Sequence, residues 1–217
     1  MTYRLHGFAE SGNCYKVALY LACADLPFEV VPVAYGEGET RDPAWRERIN
    51  EMGEAPVLEA DGQRLTQSGA MLTWLAEKTG KFAPRNDAVR YEALRWILFD
   101  NHKFTNFNAT HRFMRTFKLP AEPDPGAMAF LKGRLEAAFA VADKHMQSRA
   151  FVADELPTIA DFSMMGYLFF PADELGFDIE TTYPAIHAWK GRIQALPGWQ
   201  GPYDLLPRAN MERRTAT

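Results

Sequence analysis

Two cysteines in 217 residues are too few for a disulfide framework. Cys14 and Cys23 fall on one predicted helix, about 13 Å apart along its axis, which is too far to bridge within one chain. Such sparse cysteine suits a reducing compartment and leaves thiol chemistry to a small thiol ligand or to a single protein thiol. Long apolar runs are missing as well. The best, near Val17 to Ala24 and Phe162 to Phe170, are interrupted or too short to span a bilayer. Glu10 and Lys16 precede the first apolar run and no separate cationic segment exists, so no signal peptide is expected and the chain is assigned to the cytoplasm. A net charge of -4 lacks the basic excess of a nucleic-acid surface. No H-E-x-x-H or paired-cysteine pattern occurs, and His102 and His111 have no metal-ligand spacing, so no metal is expected. The absence of a G-x-S-x-G elbow removes the usual signal for a serine nucleophile.

What remains is an ordinary globular composition, 47% hydrophobic, in a chain long enough for one large or two small domains. The first eighty residues alternate strand and helix signals. Tyr3 to Phe8 reads as a strand, and Val17, Leu21 and Ala24 recur at helical spacing after it. Phe28 to Val33 is a second strand, followed by a Gly-rich loop from Gly36 to Thr40 and a short helix from Pro43 to Asn50. Ala55 to Ala60 and Arg64 to Thr66, joined by Asp61-Gly62, read as a hairpin. A helix from about Ser68 to Thr79 closes this part, and the order points to a small mixed sheet with helices packed on it. Residues 80–88, polar and broken by Gly and Pro, read as a linker. The remainder, 89–217, is helical, with runs near 88–117, 125–148, 158–170 and 183–195.

The most informative stretch is Ser11-Gly12-Asn13-Cys14-Tyr15-Lys16-Val17. It sets a hydroxyl at a strand-to-helix turn, where free backbone N–H groups and the positive end of the helix dipole favour an anion. Ser is also a preferred N-cap and needs no chemical reason to stand there.

This turn resembles the active-site turn of serine-type bacterial glutathione transferases related to the theta and zeta classes. Ala55-Pro56-Val57-Leu58 resembles that family's cis-proline segment, and Gln67-Ser68 sits where the family usually has Glu-Ser. Pro157-Thr158-Ile159-Ala160-Asp161 resembles its helical capping box, and Tyr183 to Trp199 its last helix. The resemblance covers nearly the whole chain. It implies a thioredoxin-like α/β N-terminal domain over 1–79 followed by an all-α domain over 89–217.

The resemblance also implies an activity: a homodimeric detoxification enzyme that stabilises the thiolate of glutathione, its co-substrate, for attack on a small hydrophobic electrophile. Ser11 is then the hydroxyl donor to the sulfur. Ala55, freed by Pro56, pairs with the cysteinyl backbone of glutathione in the manner of an added strand, while Pro56 by itself could simply start a strand. Gln67 and Ser68 grip the γ-glutamyl end, with Gln67 offering the amine a neutral amide in place of a charge. Asn13 contributes only if its side chain turns back from the helix start. Arg41 suits the glycine carboxylate or is a solvated loop charge. Glu54 stands where relatives carry a basic residue, and its charge is expected near the glycine end, opposing binding or selecting a different orientation. Phe8, Phe99, His102, Phe107 and His111 are expected to wall the electrophile pocket, although large residues at helical spacing are commonly core. The Arg112 to Lys118 cluster reads as cations at a helix C-terminus.

Two other activities stay open. Ser11-x-x-Cys14 is one residue from the redox motif C-x-x-C, which permits a glutathione-dependent peroxidase or thiol–disulfide reductase if Cys14 is reactive. A non-catalytic glutathione-transferase-like binding module would keep the fold and lose the site.

Overall fold

A computed structural model of the chain describes residues 2–214. The N-terminal part runs β1 (Tyr3–Gly7), α1 (Gly12–Cys23), β2 (Phe28–Pro32), α2 (Pro43–Arg48), β3 (Val57–Ala60), β4 (Gln63–Leu65) and α3 (Ser68–Thr79). The strands lie in the order β2-β1-β3-β4, with β1 parallel to β2 and antiparallel to β3, and β3 antiparallel to β4. This is the mixed sheet expected from the element order. The β3–β4 hairpin turns on Asp61 and Gly62, both at positive φ, as a tight primed turn requires. Two short 3-10 turns, Tyr35–Glu37 and Glu39–Arg41, occupy the stretch expected as an unstructured Gly-rich loop.

The second part is helical: α4 (Asp87–Phe99), α5 (Thr105–Thr116), α6 (Pro125–Met146), α7 (Ile159–Met165), α8 (Ala172–Leu175), α9 (Ile179–Thr182), α10 (Pro184–Gln194) and α11 (Pro202–Leu205). Helices α4, α6 and α7 start where their capping residues dictate. The side chains of Asn86 and Asp124 accept backbone N–H bonds at 2.9 and 2.8 Å. At α7, Thr158 and Asp161 form the reciprocal capping box read from the sequence. Asp161 has further work, accepting from the Val152 N–H at 2.8 Å and the Trp189 indole at 2.9 Å. Among the described residues no helix is long and apolar enough to cross a membrane.

The helix expected over 88–117 is interrupted. Asp100–Phe104 forms a π turn between α4 and α5, and the reason lies in Asp100, which is fully buried. A buried carboxylate needs donors. Asp100 receives the Lys16 ammonium at 2.6 Å, the Ser163 hydroxyl at 2.6 Å and the Thr105 hydroxyl at 2.7 Å. Lys16 is itself fully buried on α1, and burial holds its pKa below the usual lysine range despite Asp100.

The two parts meet along α1, which is apolar on nearly every side because it packs against β1, α3, α7 and α11. Contact is backbone to backbone. A side chain on Gly12 would stand 2.4 Å from the Tyr167 ring, and one on Gly166 would stand 2.6 Å from the Lys16 stem. Only glycine permits this approach. The described tail returns to α5: the Arg214 N–H bonds Thr116 and the Lys118 N–H bonds Glu212, each at 2.9 Å.

Candidate active site

A cleft of about 510 Å³ opens between the sheet side of the molecule and α5. Ser11 lies at its floor as the N-cap of α1, in extended backbone, with its Oγ accepting the Cys14 N–H at 3.2 Å. A hydroxyl has one proton to give and can accept twice. Accepting from Cys14 therefore leaves the Ser11 proton for another acceptor, at a point where the dipole of α1 already favours negative charge. Beside it stands a second helix start. Ser68 opens α3, and its hydroxyl bonds the Asn13 side-chain oxygen at 3.2 Å, tying the two N-termini together. The Ala55–Pro56 peptide is cis, and both residues line the same cleft.

The facing wall comes from the helices: Asn101, Thr105, Asn106, Ala109, Thr110 and Phe113. At one end Phe8 and Tyr35 stack with centroids 4.8 Å apart, next to Phe117 and Met211. Beneath the floor Arg112 is buried. Its guanidinium donates to the Glu10 carbonyl at 2.8 Å, to the Tyr203 hydroxyl at 2.8 Å and to the Glu174 carboxylate, and lies 3.6 Å from the Phe170 ring centre. Arg112 thus shares the Glu174 carboxylate with Arg213, and its bond to Glu10 fixes the loop that delivers Ser11. Tyr167 also faces the cleft. Burial pushes its pKa up to about 12, against the opposing charge of Arg112.

Residues 5–83 match the family model described as Glutathione S-transferase, N-terminal domain, and residues 108–197 match Glutathione S-transferase, C-terminal domain. The chain belongs to the glutathione S-transferase family. A solved structure described as a possible glutathione S-transferase from Rhodopseudomonas palustris is 33% identical, with a TM-score of 0.83 over 93% of this chain and 90% of that one. The glutathione transferase URE2P8 from Phanerochaete chrysosporium, solved with oxidized glutathione, is 25% identical with a TM-score of 0.82 over 93% of each chain. Among curated relatives, the disulfide-bond oxidoreductase YfcG of Escherichia coli (strain K12) is 26% identical over 207 residues, 88% of this chain and 89% of the relative.

Of the residues singled out in the sequence of this glutathione S-transferase family member, Phe8, Ser11, Asn13, Ala55, Pro56, Gln67 and Ser68 lie together on the cleft. Arg41 does not. It is exposed in a 3-10 turn, its guanidinium folded over Gly38. Phe99, His102, Phe107 and His111 are also outside the lining. Phe99 packs edge-on against Trp96, and His102 is exposed. Phe107 meets Phe130, with the Arg134 guanidinium 5.2 Å from its ring centre. His111 is buried against Phe177, and burial holds its pKa below the usual histidine value. The reason is helical phase: Asn101, Thr105, Ala109 and Phe113 recur every four residues and present one face to the cleft, so the larger side chains between them turn into the helical core or to its flank.

The Glu54 carboxylate accepts the Gln67 amide at 3.0 Å. One further expectation is corrected: Arg112 is not simply a cation at a helix C-terminus but donates to the buried Glu174, 62 residues away, which also pairs with Arg213. Nothing local in the sequence announces that pairing. Cys14 is fully buried, and burial pushes its thiol up to about 11. Among the described residues no group of three or more His, Cys, Asp and Glu side chains could hold a metal ion.

Proposed function

We propose that this chain is a glutathione transferase in which Ser11 donates its hydroxyl proton to the sulfur of glutathione, holding it as a thiolate for attack on a small electrophile. The observation that carries this is the state of Ser11: on the cleft floor, at a helix N-terminus, accepting from the Cys14 N–H and so with a proton to donate. The magnitudes are adequate. Lowering a thiol pKa from about 8.5 by two units needs about 2.7 kcal/mol of preference for the charged form. A hydrogen bond to a charged group supplies about 1.5–3 kcal/mol, and a helix N-terminus up to about 2. Pro56, Gln67 and Ser68 around the same cleft suit the peptide part of the ligand. The helical wall and the Phe8–Tyr35 end then receive the electrophile.

A second reading is glutathione-dependent disulfide reduction, supported by the hydrogen-bonding wall of Asn101, Thr105, Asn106 and Thr110 and by likeness to the oxidoreductase YfcG. In that reading the glutathione thiolate attacks a substrate disulfide, forming a mixed disulfide and releasing one substrate thiolate. Cys14 is too buried to be the attacking thiol. Parallel rate measurements with an aromatic halide and with a small mixed disulfide separate the two. Conjugation that depends on Ser11 supports the transferase; turnover of the disulfide alone overturns it in favour of the reductase, and no turnover of either favours a binding module.

A further inference from the structure

The cleft carries a charge arrangement at one end that the transferase reading leaves without a role. Gln67 immediately precedes α3 and is held at φ 65. Its amide nitrogen donates to Glu54 at 3.0 Å and lies 3.4 Å from the Met52 sulfur. With its nitrogen engaged, Gln67 has its carbonyl oxygen left to accept, and Glu54 has a second carboxylate oxygen. Both residues line the cleft beside Ser68.

Glu54 is held in place by its loop rather than carried on a free chain. The buried Asn50 bonds the Glu54 carbonyl at 2.8 Å and accepts the Met52 N–H at 3.1 Å. Gly53 adopts φ 67, with the Arg46 guanidinium packed so close that a side chain there would collide at 2.4 Å. The other charges on the cleft are occupied: the Glu10 carboxylate accepts the Ala209 N–H, and Arg112 is paired with Glu174. Among the described residues Glu54 forms no ion pair.

We infer that Glu54, oriented by Gln67, is the specificity-determining counter-charge for the α-ammonium of the γ-glutamyl group, the negative charge coming from the loop before the cis-proline rather than from the residue before α3. This rests on the reading that the cleft holds glutathione. Two acceptors on neighbouring side chains line this end of the cleft, one of them charged, which suits an ammonium and not a carboxylate. The adjoining start of α3, with the backbone N–H groups of its first turn, suits the α-carboxylate on the same carbon.

The test compares glutathione with its deaminated analogue, glutaryl-cysteinyl-glycine, by calorimetric titration of the wild-type chain and of Glu54→Gln. Because Glu54 and Gln67 are exposed, the expected effect is modest: about three- to tenfold weaker binding of glutathione in the variant at low salt, with the analogue unchanged. Raising the salt narrows the difference for glutathione. Adding Gln67→Glu to Glu54→Gln restores the lost affinity by returning the charge one position away. Equal weakening of both ligands, or of neither, overturns the inference while leaving the transferase reading intact. Failure of the wild-type chain to bind glutathione overturns both.

Discussion

Replacing Lys16 by Met leaves the Asp100 carboxylate buried with its two hydroxyl partners and without its cation. Both members of the pair are completely buried. Removing one partner from a buried ion pair costs about 3–5 kcal/mol, whereas removing both charges is far cheaper because desolvation is relieved as attraction is lost. Asp100→Asn alone strands the Lys16 ammonium at a similar cost. The double variant Lys16→Met with Asp100→Asn keeps an amide that Ser163 and Thr105 can still bond, and should lose no more than about 2 kcal/mol, giving a coupling of several kcal/mol in a double-mutant cycle. Urea unfolding followed by tryptophan fluorescence measures this, provided the slope with denaturant is unchanged among the variants. The effect reaches the site because Lys16 lies on α1, which Ser11 caps, and Asp100 opens the π turn that carries Asn101 and leads into Thr105, both on the facing wall. Additive single losses, or losses below about 1 kcal/mol, would refute the claim that this pair joins the two parts of the molecule.

Other outcomes follow from the same physics. Cys14, with its thiol pushed up to about 11, should alkylate roughly two hundredfold more slowly at pH 8 than an ordinary cysteine, accelerating as the pH rises; fast labelling of the native chain would revive a protein-thiol mechanism. Thr158→Ala should cost about 1 kcal/mol in unfolding experiments through loss of the α7 cap. Asp161→Ala should cost more, about 3 kcal/mol, because it orphans the buried Val152 and Thr158 N–H groups and the Trp189 indole. Neither substitution should change the KM for glutathione in protein that remains folded.

The parts of this molecule that sequence discloses are those governed by local rules. Ser11 and Thr158 announce their helices because an N-cap is chemistry within four residues of chain. The hairpin at Asp61-Gly62 is equally local. The helical side of the cleft is the opposite case. Periodicity shows that 88–117 is helical, but which stripe faces the cleft depends on the phase of α5, and the π turn at Asp100 resets it through a lysine 84 residues away. Phe99, His102, Phe107 and His111 lie off the wall, which is made of Asn, Thr and Ala with Phe113. Arg112 with Glu174, and Glu54 with Gln67, escaped for the same reason: each partner is ordinary alone and acquires its role only when the chain folds the two together.

The ultraviolet absorbance of glutathione bound to the wild-type chain and to Ser11→Ala, titrated with pH, reads whether Ser11 holds the thiolate. A bound thiol pKa well below about 8.5 in wild type should rise by about one to two units in the variant, the share of a charge-assisted hydrogen bond. A lowered pKa that Ser11→Ala leaves unchanged would refute that role.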